Sequence, residues 1–551
     1  MVKGIPYIRI KTSSDKAYDK PDHTYLWGTI VESTRGPVNT PTFVESKEHA
    51  KQLFGVNLDP FFDNGGRGLM VIRAGIEDET RKITKGSLDL QAKMDYSMVM
   101  EDGAESTAVS KTAETIIKLE NNNPGSNKTT VTFTTYPRGG YSIKISTDNF
   151  VTINIQGAKT LQKLVDTINK KSYTLTATLT ESGKIFDRLM TGKTNPDGEP
   201  TQKGQITSIT KDGNKIIDIL EPAATFAGTD GIYDTVNDCI PNNTEPYYAL
   251  QAHTNALELF DNIRVAGVFC IRPESDIQNA YIYHSAKMST DDVCRWRYAV
   301  IGANDADIST VDENLNPSIE GLLSRALLCD SQYIIYIGQG AYDYDGNYIP
   351  AYKMPMYWAG LRSKLSYGIS MFGGDTEKVL YSYSYDENEN KPLYDVAPLL
   401  KGETTVPFEP DTYVALNEGG VVTLKKEYDT VTFREGVTTM QTGNDYGTEE
   451  SVVNIVKYAL DQTYDVCYSY QGKNLVSSLK ASLEEAIKVK LNDMQTFDQT
   501  LVDVESDSIK AYDVSVIVTP RAGQKVGKIY VNLKITPVYA LRQIEASVIV
   551  Q

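Results

Sequence analysis

The chain has 551 residues, 40% of them hydrophobic and 23% charged, with a formal net charge of −17. That length exceeds what one core serves and predicts several domains of an ordinary globular type. The acidic balance excludes an extended nucleic-acid surface, which needs clustered Lys and Arg to displace counterions, and no apolar run reaches the ~18 residues a membrane helix needs.

Residues 5–10 read as a short extended stretch, followed by a polar tether over 11–23. Residues 25–74 are mixed: a strand over 25–32, a turn at Arg35-Gly36-Pro37, a helix around 46–53 and a strand over 68–73. From about 76 to 238 β-type patterns dominate. A hairpin is expected over 130–135 and 141–146, with strands over 151–155 and 173–179 on either side of a helix over 158–170. Leu161, Leu164, Val165 and Ile168 share one face of that helix. A second hairpin, 206–210 with 215–220, is expected around Asp212-Gly213.

After residue 240 the pattern becomes β/α alternation: helix 247–260, strand 265–271, helix 277–288, strand 297–303, helix 319–328 and strand 333–338. Such order implies a largely parallel or mixed sheet covered by helices. Residues 375–410, rich in Tyr, Asp, Glu, Asn and Pro, read as a surface excursion. The last hundred residues read as two helices, a hairpin and one further strand. Val514, Val516 and Val518 share one side of the first hairpin strand, Ile529, Val531, Leu533 and Ile535 one side of the second, and Ile544, Ala546, Val548 and Val550 repeat the period. Both termini thus resemble arms with strand tips, which either close their own domain's sheet or add to another chain's.

The fold class expected is α+β or mixed α/β, multidomain and discontinuous. Its parts are an arm over 1–24, a core over 25–75 and 240–440, an inserted β-rich domain over 76–239, an assembly domain over 441–540 and a terminal strand over 541–551.

Motifs for chemistry are absent from the sequence. Thr191-Gly192-Lys193-Thr194 lacks the first glycine of a phosphate loop, that place being Asp187, and a turn follows where a helix is needed. The acidic turns at 343–347 and 386–390 lack the Gly and Glu of a calcium loop. His23, His49, His253 and His284 have no metal-ligand spacing, and no Ser stands in a nucleophile elbow. Cys239, Cys270, Cys294, Cys329 and Cys467 are scattered, which fits free thiols in a reducing compartment. The N-terminus lacks the basic-then-apolar order of a secretion signal. No enzyme, cofactor or metal is expected, and assembly in a cytoplasm is.

Residues 28–41, Gly-Thr-Ile-Val-Glu-Ser-Thr-Arg-Gly-Pro-Val-Asn-Thr-Pro, followed by Val44-Glu45-Ser46 and Leu53-Phe54-Gly55, resemble the N-terminal signature of contractile-tail sheath proteins. Similar fragments follow in order: 297–303, Trp358-Ala359-Gly360, 416–422, 434–439, Lys457-Tyr458, Gly472-Lys473-Asn474 and 537–544. The resemblance covers 1–75 and 240–551, and implies a sheath subunit of a phage tail, a headless bacteriocin or an intracellular injection particle. Its implied partners are copies of itself in stacked hexameric rings, an inner tube protein, and baseplate and tail terminator proteins. No direct nucleic-acid contact or membrane insertion is implied. Ile5, Tyr7, Ile8 and Ile10, and Ile544, Ala546, Val548 and Val550, would be strand donors. The hairpin residues Val514, Val516, Val518, Ile529, Val531, Leu533 and Ile535 would be acceptors.

A helix over 474–491 has Leu475, Leu479, Leu483, Ile487 and Leu491 inward and Lys480, Glu484 and Lys488 outward. The resemblance makes those three charges candidates for tube contact; pairing with one another on a solvated face is the competing reading. An adhesin would explain the β-rich insertion and a hydrolase the α/β core, but neither requires arms at both ends.

Overall fold

The computed structural model describes residues 26–75 and 246–538, apart from 34–35, 291, 314–317, 372–377, 383–390, 402–409, 428, 442–444, 472–476, 503–509 and 520–527, together with the elements between 86 and 215. Its centre is a seven-stranded sheet. The strands are β1 (Trp27–Val31), β2 (Thr42–Val44), β3 (Leu69–Arg73), β4 (Gly267–Phe269), β5 (Tyr298–Gly302), β6 (Ile334–Ile337) and β7 (Val421–Val422), in the order β2-β3-β1-β4-β5-β6-β7. Every pairing is parallel except that of β2 with β3.

Buried on both faces, β1, β4, β5 and β6 are apolar rather than alternating, except for Thr29, whose buried hydroxyl donates to the Phe269 carbonyl at 3.1 Å. The pleat then sorts successive side chains to opposite sides. Val300, Ile335 and Ile337 enter one hydrophobic cluster, while Ala299, Ile301, Ile334 and Tyr336 enter the other.

The helices in chain order are α1 (Lys47–Phe54), α2 (Asp59–Asp63), α3 (Leu161–Lys171), α4 (Pro246–Leu259), α5 (Ser275–Met288), α6 (Glu320–Cys329), α7 (Met354–Lys364), α8 (Pro410–Glu418), α9 (Glu450–Ser469) and α10 (Ser477–Thr496). Residues of α1, α2 and α7 pack in the first cluster, and those of α4, α5, α6 and α8 in the second. The result is a three-layer α/β/α core.

Local chemistry fixes its details. Ser46 caps α1 by accepting from the His49 amide at 3.1 Å, and Gly55 ends the helix at φ 66°. Gly36 holds the turn after β1 at φ +92°, its carbonyl accepting from buried Arg73 at 2.6 Å.

The inserted strands form three small sheets, one of them 129–135, 141–147 and 151–158. The first expected hairpin is present in register, with Thr130 opposite Ser146. The strands flanking α3 belong to different sheets, 151–158 pairing with 141–147 and 175–179 with 114–121. Leu164, Val165 and Ile168 of α3 are buried as their spacing requires. Strand 205–211 turns back at Asn214–Lys215; residues 216–220 and the Thr191–Thr194 motif lie outside the described residues.

Burial in 378–401 departs from the expectation of a surface excursion. Leu380, Leu393, Ala397, Leu399 and Leu400 are buried, and Asp395–Val396 pairs with Ala341–Tyr342. The abundant polar residues of this segment masked an apolar set spaced closely enough to reach both hydrophobic clusters.

Candidate assembly surface

The C-terminal lobe is built on α9, whose first half is sunk in the core. Glu450, Val452, Val453, Asn454 and Lys457 are all buried. Val453 packs in the core cluster, whereas Ile455 and Ala459 pack in the lobe's own cluster, so one continuous helix joins the two. Tyr367 of the core stacks on Tyr458 with ring centroids 3.8 Å apart. Arg264 ties the other half of α9, pairing with Asp465 at 2.6 Å and lying 4.3 Å from the Tyr464 ring centre.

Next, α10 presents Leu483, Ile487, Leu491 and Met494 to the lobe's cluster at helical spacing. Leu479 is half-buried, and Leu475 falls outside the described residues. Against this face lies the hairpin β8 (Tyr512–Thr519) and β9 (Lys528–Ile535). Val514 opposes Leu533 and Val516 opposes Val531, with the two β8 valines buried and the β9 residues half-buried. Ile529 and Ile535 join the same cluster. Val518 opposes Ile529.

The outer face carries Asp513, Ser515, Ile517, Tyr530, Asn532 and Lys534. Ile517 and Tyr530 oppose each other there, each 46% exposed. Among the described residues the sheet has only these two strands. The proposed donors Ile5, Tyr7, Ile8, Ile10, Ile544, Ala546, Val548 and Val550 lie outside the described residues.

Of the three charges on α10, Lys480 is exposed, while Glu484 and Lys488 are half-buried and paired at 2.7 Å. The hydrogen bond from Lys488 holds the Glu484 carboxyl below its ordinary value and raises the ammonium in return.

Elsewhere, ionisable groups are engaged with one another. At the carboxyl ends of β1 and β4, where the sheet's strand order reverses and open α/β folds hold ligands, Arg272 pairs with Glu32 and with Glu274, the latter at 2.7 Å. His253 Nε2 lies 3.0 Å from the same Glu32. His284 is buried with its Nε2 3.1 Å from an Arg297 donor, and burial beside that guanidinium pushes it down to about 3. Arg297 in turn donates to the Phe260 and Ile263 carbonyls at 3.0 and 2.8 Å. Asp343 accepts from the Asp345 and Asn347 amides, the arrangement of a closed acidic turn. Among the described residues no group of three or more His, Cys, Asp or Glu is placed to hold a metal, and no helix is long and apolar enough to cross a membrane.

Sequence reading missed the polar joint between core and lobe. Glu450 lies 3.4 Å from Arg362, both buried, and burial raises its carboxyl. Lys457 Nζ donates to the Ala266 carbonyl at 3.0 Å and sits 5.2 Å from the Tyr298 ring centre, and burial lowers it to about 8. The signal was legible in principle: Glu450, Asn454, Lys457 and Asp461 recur at the spacing of one helix face, interleaved with Val453 and Ile455.

No family model matches the chain, and no curated protein does. Solved structures do. A sheath tail protein from Desulfitobacterium hafniense is similar at 10% identity and TM-score 0.48, covering 97% of this chain and all (100%) of that one. A sheath tail protein from Listeria innocua is similar at 11% identity and TM-score 0.45, covering 92% and 94%. A chain of the anti-feeding prophage baseplate is similar at 11% identity and TM-score 0.41, covering 57% of this chain and 75% of its own.

Proposed function

We propose that the chain is the structural subunit of a contractile tail sheath. Copies stack as hexameric rings around an inner tube and contract by rigid-body rearrangement, driving the tube through a target envelope. The reading rests on the ordered sequence fragments over 1–75 and 240–551. The observation that carries it is the β8–β9 hairpin, a two-stranded sheet with one face on α10 and an outer face bearing exposed Ile517. A two-stranded sheet gains stability from further strands, and main-chain pairing tolerates rotation about a polar tether. In this reading residues 5–10 and 544–550 of different neighbours add to the hairpin, so rings slide and turn without separating. Lys480, Glu484 and Lys488 are the proposed tube-facing charges.

The work of contraction comes from a denser lattice, not from hydrolysis. Each ~100 Å² of apolar surface newly buried contributes roughly 2.5 kcal/mol per subunit, and many subunits act together. In this reading the particle is a phage tail assembled in a bacterial cytoplasm, with the sheath of a headless bacteriocin or of an intracellular injection particle as the alternative. Negative-stain microscopy of the full chain beside a variant lacking residues 1–12 and 541–551 tests this. Tubes from the full chain and folded monomers from the variant are expected. Tubes from both would refute the arms as the connection.

A further inference from the structure

The joint between core and lobe holds a small, partly open pocket of mixed polar and apolar lining. It is lined by Trp27 of β1, Tyr298 of β5, Arg362 of α7, Tyr367, and Asn454 and Lys457 of α9. It leaves about 10 Å³ for the centre of a water-sized sphere, close to the least that accommodates one water molecule. Trp27 is 1% exposed, and its Nε1–H has no acceptor among the described residues. Its benzo ring is fixed over Gly267, where an added Cβ would come within 2.4 Å of the ring, so the indole has little freedom to turn and seek one.

We propose that a single ordered water molecule occupies this pocket and bridges Trp27 Nε1 to Lys457 Nζ. The chemistry matches a water's needs. Its oxygen accepts from the indole N–H and from one of the two ammonium protons that Lys457 does not give to the Ala266 carbonyl. One of its own protons has a carbonyl lone pair to meet, because Tyr367 O has two and takes only the Asn454 side-chain amide among the donors described here, whereas Ala266 O already accepts from both the Lys457 ammonium and the Tyr298 amide. An anion is the other small occupant that donors attract. Arg362 lies against the Glu450 carboxyl, and Lys457 senses Asp461 and Glu450 as well as Arg362 and Arg297, so a heavy-halide map and not a count of charges separates the two occupants. The water ties the first strand of the sheet to the helix that carries the lobe. It supplies part of the solvation that Lys457 loses on burial. The inference is independent of the sheath reading, since it concerns the folded chain alone.

The test uses the wild-type protein, in crystals or in whatever assembly it forms, at a resolution that shows ordered waters. One map is made in chloride and one in bromide with anomalous data. The expected result is one water peak within hydrogen-bonding distance of Trp27 Nε1 and Lys457 Nζ, unchanged by bromide. An empty pocket, a protein acceptor on Trp27 Nε1, or bromide density at the site would each overturn the proposal.

Discussion

Lys457 offers a sharp test of how core and lobe are joined. It is buried, and its ammonium is lowered from 10.5 to about 8 by loss of solvent, which Asp461 and Glu450 only partly offset. Between those two values the unfolded chain holds the proton more tightly than the folded one, so unfolding takes up protons there. Folding stability from this group is therefore complete above 10.5 and is lost as pH falls towards 8. The shift corresponds to roughly 3 kcal/mol across that window. Other groups titrate nearby with the opposite sign, notably Cys270, raised to about 12, and Cys329, raised to about 11 by burial. The informative quantity is thus the difference between the wild type and Lys457→Met. Denaturant unfolding followed by tryptophan fluorescence, at intervals from pH 7.5 to 10, supplies it. The wild type is expected to gain stability relative to the variant steadily as pH rises. A difference that stays flat to within about 1 kcal/mol would refute the reasoning.

Arg362→Met removes the guanidinium beside buried Glu450 and strands the Leu365 and Ile369 carbonyls, and a loss of about 3–5 kcal/mol in unfolding free energy is expected. Gly360→Ala places a Cβ 2.3 Å from the Phe61 carbonyl, where α7 crosses α2, and a lower melting temperature worth about 1–3 kcal/mol should appear in calorimetry. Ser46→Ala deletes the α1 cap and is expected to cost about 1 kcal/mol by chemical denaturation. Ile517→Ser, on the outer hairpin face, should leave melting within about 0.5 kcal/mol of wild type while reducing tube formation in microscopy; normal tubes would remove that face from the assembly surface.

Five of the seven strands of the central sheet were legible because strands buried on both faces read as apolar runs, such as Tyr298-Ala299-Val300-Ile301 and Ile334-Ile335-Tyr336-Ile337, whereas β2 and β7, Thr42–Val44 and Val421–Val422, were too short to show a pattern. The C-terminal hairpin was legible for the opposite reason, since one wet face imposes strict alternation from Val514 to Val518 and from Ile529 to Ile535. Strand order was not, because which parallel strands become neighbours depends on crossovers that local pattern does not encode. Burial of Leu393 and Leu399 was hidden by the polar composition around them. The Glu450, Asn454 and Lys457 face of α9 shows in the sequence only as polar residues at helical spacing interleaved with Val453; that spacing marks a shared face but not its partners, the buried Arg362 and the Ala266 carbonyl.

The most direct test of the sheath account is a map of assembled tubes that resolves the C-terminal lobe and traces every strand beside β8 and β9. The account predicts that residues 5–10 and 544–550 of other copies extend the hairpin into a larger sheet. Strands supplied only by the same copy, or a hairpin left two-stranded within the assembly, would contradict it.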